Sequence, residues 1–337
     1  MHADKLSMYE KFYGLKEAAF NLTPDPSFLF LNKRSKDALD LILYGIERRE
    51  GFALIVGDVG TGKTTLCWAL LERLARKNIR TALIQNPILS ETDILKSILQ
   101  DLGVRSEERP SDREPQGETA LEVFSTDWMQ GMTKKQLLDK LNQFLAARAR
   151  EDVFTVLIVD EAQNVPTALL EQLRLLSNLE TAKKKLLQII FVGQLELDRK
   201  LKSSSMRQLN QRISVRFETK ALSRVDTEYY IRHRLAVAGA SSRLRFGTSA
   251  YKAVWQYSKG YPRLINLICD RALLAGYTER SGVITRGLVR RAAMGLQGEE
   301  MGSRITPSIL RKMIPFFLPV LILLSVLCFM AYRVLAH

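Results

Sequence analysis

At 337 residues, with 46% of them hydrophobic, the chain is long enough for two domains with apolar cores. Its three cysteines, Cys67, Cys269 and Cys328, are scattered without metal-ligand spacing and exclude a disulfide framework. Fifty Lys and Arg against 36 Asp and Glu leave a formal charge of +14, which suits nucleic acid, an anionic membrane surface or nucleotide phosphates.

The N-terminus has no apolar run of the kind that marks a cleaved secretory signal. Residues 1–50 read as a helical approach to a core. Pro24-Asp25-Pro26 predicts a turn, Phe28-Leu29-Phe30-Leu31 a short apolar strand or hook, and residues 35–49 an amphipathic helix. From 51 to 222, apolar runs at 52–56, 81–85, 154–159, 187–192 and 214–219 alternate with helical stretches. That alternation predicts an α/β core with a parallel sheet and helical crossovers.

The first run leads into Gly57-Asp58-Val59-Gly60-Thr61-Gly62-Lys63-Thr64, which is G-x-x-x-x-G-K-[ST], and then into a helix-prone stretch from Thr65. A strand before and a helix after separate a phosphate-binding loop from a chance match. The glycines let backbone N–H groups curl inward, and the helix N-terminus adds positive partial charge. Residues 57–65 are thus the candidate triphosphate cradle. Lys63 would neutralise the phosphates and Thr64 would offer its hydroxyl to Mg²⁺. A nucleoside triphosphate, ATP with Mg²⁺, is the expected ligand.

Asn86, just past the second run, can hydrogen-bond Glu161 and hold it away from water until a partner binds. Residues 105–133 carry seven acids against three bases and are rich in Glu, Pro, Ser and Gly. They predict a flexible acidic insertion, either a solvated linker or a partner-binding loop.

The third run ends in Asp160-Glu161. A carboxylate there can hold Mg²⁺, the role assigned to Asp160. A second one beside it can take the proton of the attacking water, so Glu161 is the candidate general base. The fourth run ends in Gly193-Gln194, whose amide can reach the γ-phosphate or the lytic water. Arg207 and Arg212 lie on or just after a helix before the fifth run. The planar guanidinium of Arg212, with Arg207 as second choice, can reach a nucleotide on a neighbouring subunit. A homo-oligomer follows from that mechanism. Residues 198–245 hold twelve Lys/Arg against four Asp/Glu, a local +8.

After residue 222 strand signals fade. Ser223 can cap a helix running to Val237, and further helices are predicted at 249–258, 262–277 and 285–296, together an all-helical lid domain over 223–296. Gly260-Tyr261-Pro262-Arg263 opens one of them, with proline at the first helical position. Arg263 would project toward the γ-phosphate, so hydrolysis would change the angle between the domains.

Residues 297–313 read as a linker. Residues 314–332 contain no charged residue across 19 positions, roughly 28 Å at about 1.5 Å per residue. This predicts a transmembrane helix in preference to a buried core helix, followed by a short tail, 333–337. Arg290, Arg291, Arg304, Arg311 and Lys312 precede it, which puts the nucleotide-binding domain on the cytoplasmic side of an inner membrane.

With these motifs in order, the chain resembles the AAA+ family of P-loop NTPases and, more closely, ATPases of the general secretion pathway protein A (ExeA) type. The matching residues are Phe12-Tyr13-Gly14-Leu15, Thr23-Pro24-Asp25-Pro26, Leu43-Tyr44-Gly45-Ile46, the loop 57–65, Asp160-Glu161-Ala162-Gln163-Asn164 and Val192-Gly193-Gln194. Arg207-Gln208-Leu209-Asn210-Gln211-Arg212, His233-Arg234-Leu235 and Gly260-Tyr261-Pro262-Arg263-Leu264-Ile265-Asn266 complete the set, which spans about residues 8–296. The resemblance implies an ATP-driven membrane ATPase that aids assembly of an envelope secretin, pilus or exopolysaccharide/exosortase machine. Relatives that assemble secretins commonly continue past the membrane into a peptidoglycan-binding domain. Only five residues follow the span here, so any reach into the periplasm would need a separate inner-membrane or periplasmic partner.

Two other function classes stand beside this one. The basic stretch 198–245 would suit a DNA-binding ATPase like those that select transposition targets, because phosphate neutralisation gives non-specific affinity. No zinc finger, recognition helix or aromatic–basic interleaving accompanies it, and the membrane span argues against it. The other class is a nucleotide-gated scaffold that binds ATP and seldom hydrolyses it.

Overall fold

A computed structural model describes residues 8–23, 25–85, 90–104, 127–180 and 185–303. Five strands, β1 (Phe52–Gly57), β2 (Ile79–Ile84), β3 (Phe154–Val159), β4 (Leu187–Gly193) and β5 (Ile213–Thr219), form one parallel sheet in the order β2-β3-β4-β1-β5. Every residue of the three inner strands is buried, while the edge strands β2 and β5 carry exposed positions. Continuous apolar runs are what a strand covered on both faces requires.

Helices cover both faces. α2 (Lys33–Glu47) starts at Asn32, whose Oδ1 accepts the Ser35 N–H at 2.9 Å. Its Leu39, Ile42, Leu43 and Ile46 recur at helical spacing and pack with Leu66, Leu70 and Leu74 of α3 (Lys63–Ala75) against Ile55, Ile158 and Ile190. The other face takes α4 (Glu91–Asp101), α5 (Lys134–Arg150), α6 (Thr167–Leu176) and α7 (Leu195–Leu201), stacked on Leu54, Leu157 and Phe191. A short α8 (Arg207–Asn210) leads into β5.

A separate core lies beyond the sheet. α9 (Arg224–Val237), α10 (Thr248–Ser258), α11 (Pro262–Thr278) and α12 (Arg286–Ser303) surround Ile231, Val254, Ile268, Leu273 and Val289. Ser223 caps α9 by accepting the Asp226 N–H at 3.0 Å. This unit is not purely helical: β6 (Arg245–Phe246) and β7 (Val283–Ile284) pair in parallel within it. Two-residue strands are too short to leave a periodic signal.

Three further expectations change. Residues 28–31 form no strand; the chain makes a 3-10 turn at Pro26–Phe28, capped by Asp25 accepting the Ser27 N–H at 2.8 Å. The N-terminal segment approaches the sheet only with α2; its first part packs elsewhere. Short α1 (Met8–Tyr13) and residues 15–28 bury Tyr13, Leu15, Phe20 and Phe28 in the core of the C-terminal helices. The Tyr13 hydroxyl lies 3.1 Å from the Ser281 carbonyl and 3.2 Å from that of Leu273. Finally, α12 runs on to Ser303, through the start of the expected linker.

Residues 105–126, the bulk of the acidic insertion, lie outside the described residues. Its last part is structured: Met129 is 1% exposed in the sheet core, and Thr133 with Gln136 makes a reciprocal capping box for α5. Pro24, Asn86 and the whole of 314–332 also lie outside the described residues. Among the described residues, no helix is long and apolar enough to cross a membrane.

Candidate nucleotide site

The loop between β1 and α3 is shaped by Gly62, which sits at the N-cap with φ 94°, a left-handed backbone that only glycine adopts without strain. No side chain caps α3, so its first N–H groups are open to an anion. The Lys63 ammonium donates to the carbonyls of Gly57 (3.0 Å) and Asp58 (2.9 Å) and is only 6% exposed. Burial pushes its pKa down, while the carboxylates of Glu161, Asp160 and Asp58 pull it back up. A buried cation beside carboxylates is poised to exchange carbonyl partners for phosphate oxygens.

Asp160 leaves the end of β3, 8% exposed. Its Oδ1 accepts the Glu161 N–H at 2.8 Å, and its Oδ2 stands 3.5 Å from Thr64 Oγ1. Desolvation raises its pKa against the pull of that N–H and of Lys63. A hydroxyl and a carboxylate oxygen are hard donors that suit Mg²⁺. Among the described residues no cluster of three His, Cys, Asp or Glu could hold a metal alone.

Glu161 has φ 49° and ψ 36°, left-handed for a non-glycine residue. Such outliers cost on the order of 1–3 kcal/mol and cluster at functional sites. Glu161, Gln194 and Arg263 line the same cavity of about 420 Å³ as Thr61–Thr65, so three elements of the sheet and one helix of the C-terminal unit converge there. Arg263 is close enough that a Cβ on Gly60 would stand 3.1 Å from its own.

Residues 46–201 match the family profile of the AAA domain. General secretion pathway protein A of Aeromonas hydrophila is 39% identical over 291 residues, covering 86% of this chain and 49% of that protein. The chain thus carries an AAA domain and is related to general secretion pathway protein A. It spans about half the length of that curated relative. The fold also matches the Aeropyrum pernix ORC2 protein in its ADP form (TM-score 0.59, 16% identity, 82% of this chain and 71% of that one). Cdc6p of Pyrobaculum aerophilum matches equally well (TM-score 0.59, 19% identity, 81% and 69%). At these identities the likeness is one of fold.

Within this AAA fold, two arginines stand apart from the cavity. Arg212 immediately precedes β5, whose far end, Thr219, touches the phosphate loop; seven residues of strand separate them by roughly 20 Å. Its guanidinium is exposed and bonded to the Asn178 amide. Arg207, at the start of α8, is exposed as well. Neither lines the cavity of its own chain.

Several cavity residues had no role assigned from the sequence. Thr219 Oγ1 lies 2.7 Å from Thr61 Oγ1 and 3.2 Å from the Val56 carbonyl, tying the loop to β5. On the opposite wall, Arg234 is 7% exposed and donates to the carbonyls of Ala19 (2.5 Å) and Asn21 (3.2 Å), with Phe28 beneath it at 4.6 Å. Tyr230 donates to Asn266 at 2.9 Å, and Asn266 in turn donates to Asn21 at 3.3 Å. This network fastens Ala19, Asn21 and Phe28, the last two of which line the cavity, to the C-terminal helices. The sequence signal was the pair of motifs His233-Arg234-Leu235 and Asn266, whose polar residues fall on buried helix faces.

Proposed function

We propose that the chain hydrolyses ATP to drive assembly of a bacterial envelope machine of the secretin, pilus or exopolysaccharide/exosortase kind. The observation that carries the hydrolytic part is the convergence of Lys63, Thr64, Glu161, Gln194 and Arg263 on one cavity. The relation to general secretion pathway protein A supports the part concerning the envelope.

In this reading the backbone N–H groups of 57–65 and the Lys63 ammonium hold the phosphates. Thr64 and Asp160 would hold Mg²⁺, which when bound offsets charge on the β- and γ-oxygens. Water attacks the γ-phosphorus, the bond to the ADP oxygen breaks, and the water's proton passes to the Glu161 carboxylate. Gln194 orients the water or γ-phosphate from the end of β4. Arg263 neutralises γ-phosphate charge from the helical lid, residues 223–296, so loss of that charge loosens the lid. Arg212, or Arg207, acts on the nucleotide of a neighbouring copy. Residues 314–332 anchor the ATPase to the inner membrane from its cytoplasmic side, where an inner-membrane or periplasmic protein receives the motion.

The experiment is Mg²⁺-dependent ATP turnover by the full chain in detergent or vesicles. Lys63→Ala should lose nucleotide binding, whereas Glu161→Gln should bind ATP and lose turnover by about 100- to 10,000-fold. Tight binding with background turnover in the parent protein would favour the nucleotide-gated scaffold instead. Release of the intact protein by a carbonate wash would remove the anchor.

The DNA-binding alternative draws less support. Of the twelve cations in 198–245, Arg199 pairs with Glu196, Lys202 and Arg216 with Asp198, and Arg232 with Glu228, while Arg234 is buried. Four of these cations thus already hold carboxylates and a fifth is buried, so fewer are available to phosphates than the sequence count suggests. Salt-sensitive DNA binding by the full chain would revive it.

A further inference from the structure

We infer that Gln163 is a positioning residue for hydrolysis, its amide joining the Glu161 carboxylate to the backbone at the end of β4. The inference deepens the hydrolytic reading and rests on it. Gln163 Nε2 donates to Glu161 Oε2 at 2.5 Å, and Gln163 Oε1 accepts the Gln194 N–H at 3.0 Å. The partners fix which end of the amide is which: a carboxylate needs a donor and a backbone N–H needs an acceptor.

Two backbone features make the bridge possible. The left-handed turn at Glu161 breaks the chain away from β3, and the 3-10 turn Ala162–Asn164 that follows carries Gln163 beneath the end of β4. There the chain is glycine: a Cβ on Gly193 would stand 2.7 Å from Gln163 Oε1 and 3.3 Å from Gln163 N. The close approach of amide to strand thus excludes a side chain at 193.

The arrangement gives the general base a third group that orients it, as activated proton acceptors need. Oε2 is held, and Oε1 takes no part in that bond, so the carboxylate presents one oxygen to water in a fixed direction. The same side chain ties that carboxylate to Gln194, whose own side chain lines the cavity. A displacement of the strand end on nucleotide binding is carried to Glu161 through one amide.

The test is kcat, nucleotide affinity and melting temperature of Gln163→Glu and Gln163→Met beside the parent protein. Gln163→Glu keeps an acceptor for the Gln194 N–H but offers Glu161 no donor; Gln163→Met offers neither. Both should lose kcat by about 10- to 100-fold, the range typical of residues that orient reacting groups, with nucleotide affinity nearly unchanged. Gln163→Asn, an amide one methylene shorter, should fall between. Unchanged kcat in Gln163→Glu overturns the inference. So does a loss of kcat matched by loss of nucleotide affinity and of melting temperature in Gln163→Glu, which makes Gln163 a structural staple. If Gln163→Met fails to fold, Gln163→Glu decides alone. A parent protein without turnover fails the hydrolytic reading itself and this inference with it.

Discussion

Tyr261, the residue just before α11, donates its phenolic hydroxyl to the Asp58 carboxylate of the phosphate loop at 3.0 Å. Asp58 also holds Thr61 Oγ1 at 2.7 Å and the Lys63 ammonium through its backbone carbonyl. One loop residue therefore joins the helical unit, the loop and the lysine. Removing the hydroxyl costs the closed arrangement a single exposed hydrogen bond. Tyr261→Phe should weaken ATP binding by about two- to fivefold, read by titration with a fluorescent nucleotide. Tighter binding would mean that the bond competes with the nucleotide.

Arg234 secures the opposite wall of the cavity by a different device. Its guanidinium reaches two carbonyls of the N-terminal segment and the Tyr230 hydroxyl at once, in near-complete burial. Arg234→Met should strand the Ala19 carbonyl, leave that of Asn21 to Asn266 alone, and lower stability by about 2–3 kcal/mol, seen as a shifted denaturation midpoint. Arg234→Lys should not restore it, because a point charge cannot serve three directions. Both should weaken nucleotide binding, since the wall they free lines the cavity. Lost stability with unchanged affinity would confine Arg234 to the fold.

What was legible in the sequence had a local cause. The inner strands announced themselves because burial on both faces demands near-continuous apolar runs, and the phosphate loop because its glycines and lysine act at fixed spacing. What was not legible depends on distant contacts. Residues 28–31 have strand composition, yet Phe28 is held under Arg234, about two hundred positions away, and no strand pairs with it. Tyr13 meets Leu273 across a separation of 260 residues, so the N-terminal segment gave no sign of its partner. Gln163 was visible as part of a motif, but its role needs the positive φ of Glu161 and the bare backbone of Gly193, which are conformational facts.

The Tyr13 contact carries a pH signature. Burial pushes the phenol up from 10.0 to about 12. The folded state thus favours the neutral phenol, and the unfolded chain releases that proton first. Its contribution to stability is complete below pH 10 and is lost as pH rises from 10 through about 12. Tyr13→Phe should lose about 1 kcal/mol near neutrality and show a shallower decline in melting temperature across that alkaline window. An identical alkaline slope in both proteins would contradict the assignment.

The position of Arg212 makes the strongest demand on quaternary structure. It stands at the opposite end of β5 from the phosphate loop, beyond the reach of its own cavity, so any catalytic contact must be with another copy. Glu161→Gln keeps the arginine and loses the base; Arg212→Ala keeps the base and loses the arginine. Each alone should be nearly inactive, the second by on the order of a thousandfold. Mixed, they can form an interface with an intact Glu161 on one chain and an intact Arg212 on the next. Activity should reappear in the mixture and rise with protein concentration. The same mixture made with Arg207→Ala compares the two arginines directly, because only the variant lacking the acting group is rescued. Mixed chains that associate in sedimentation yet recover no turnover would rule out action between copies.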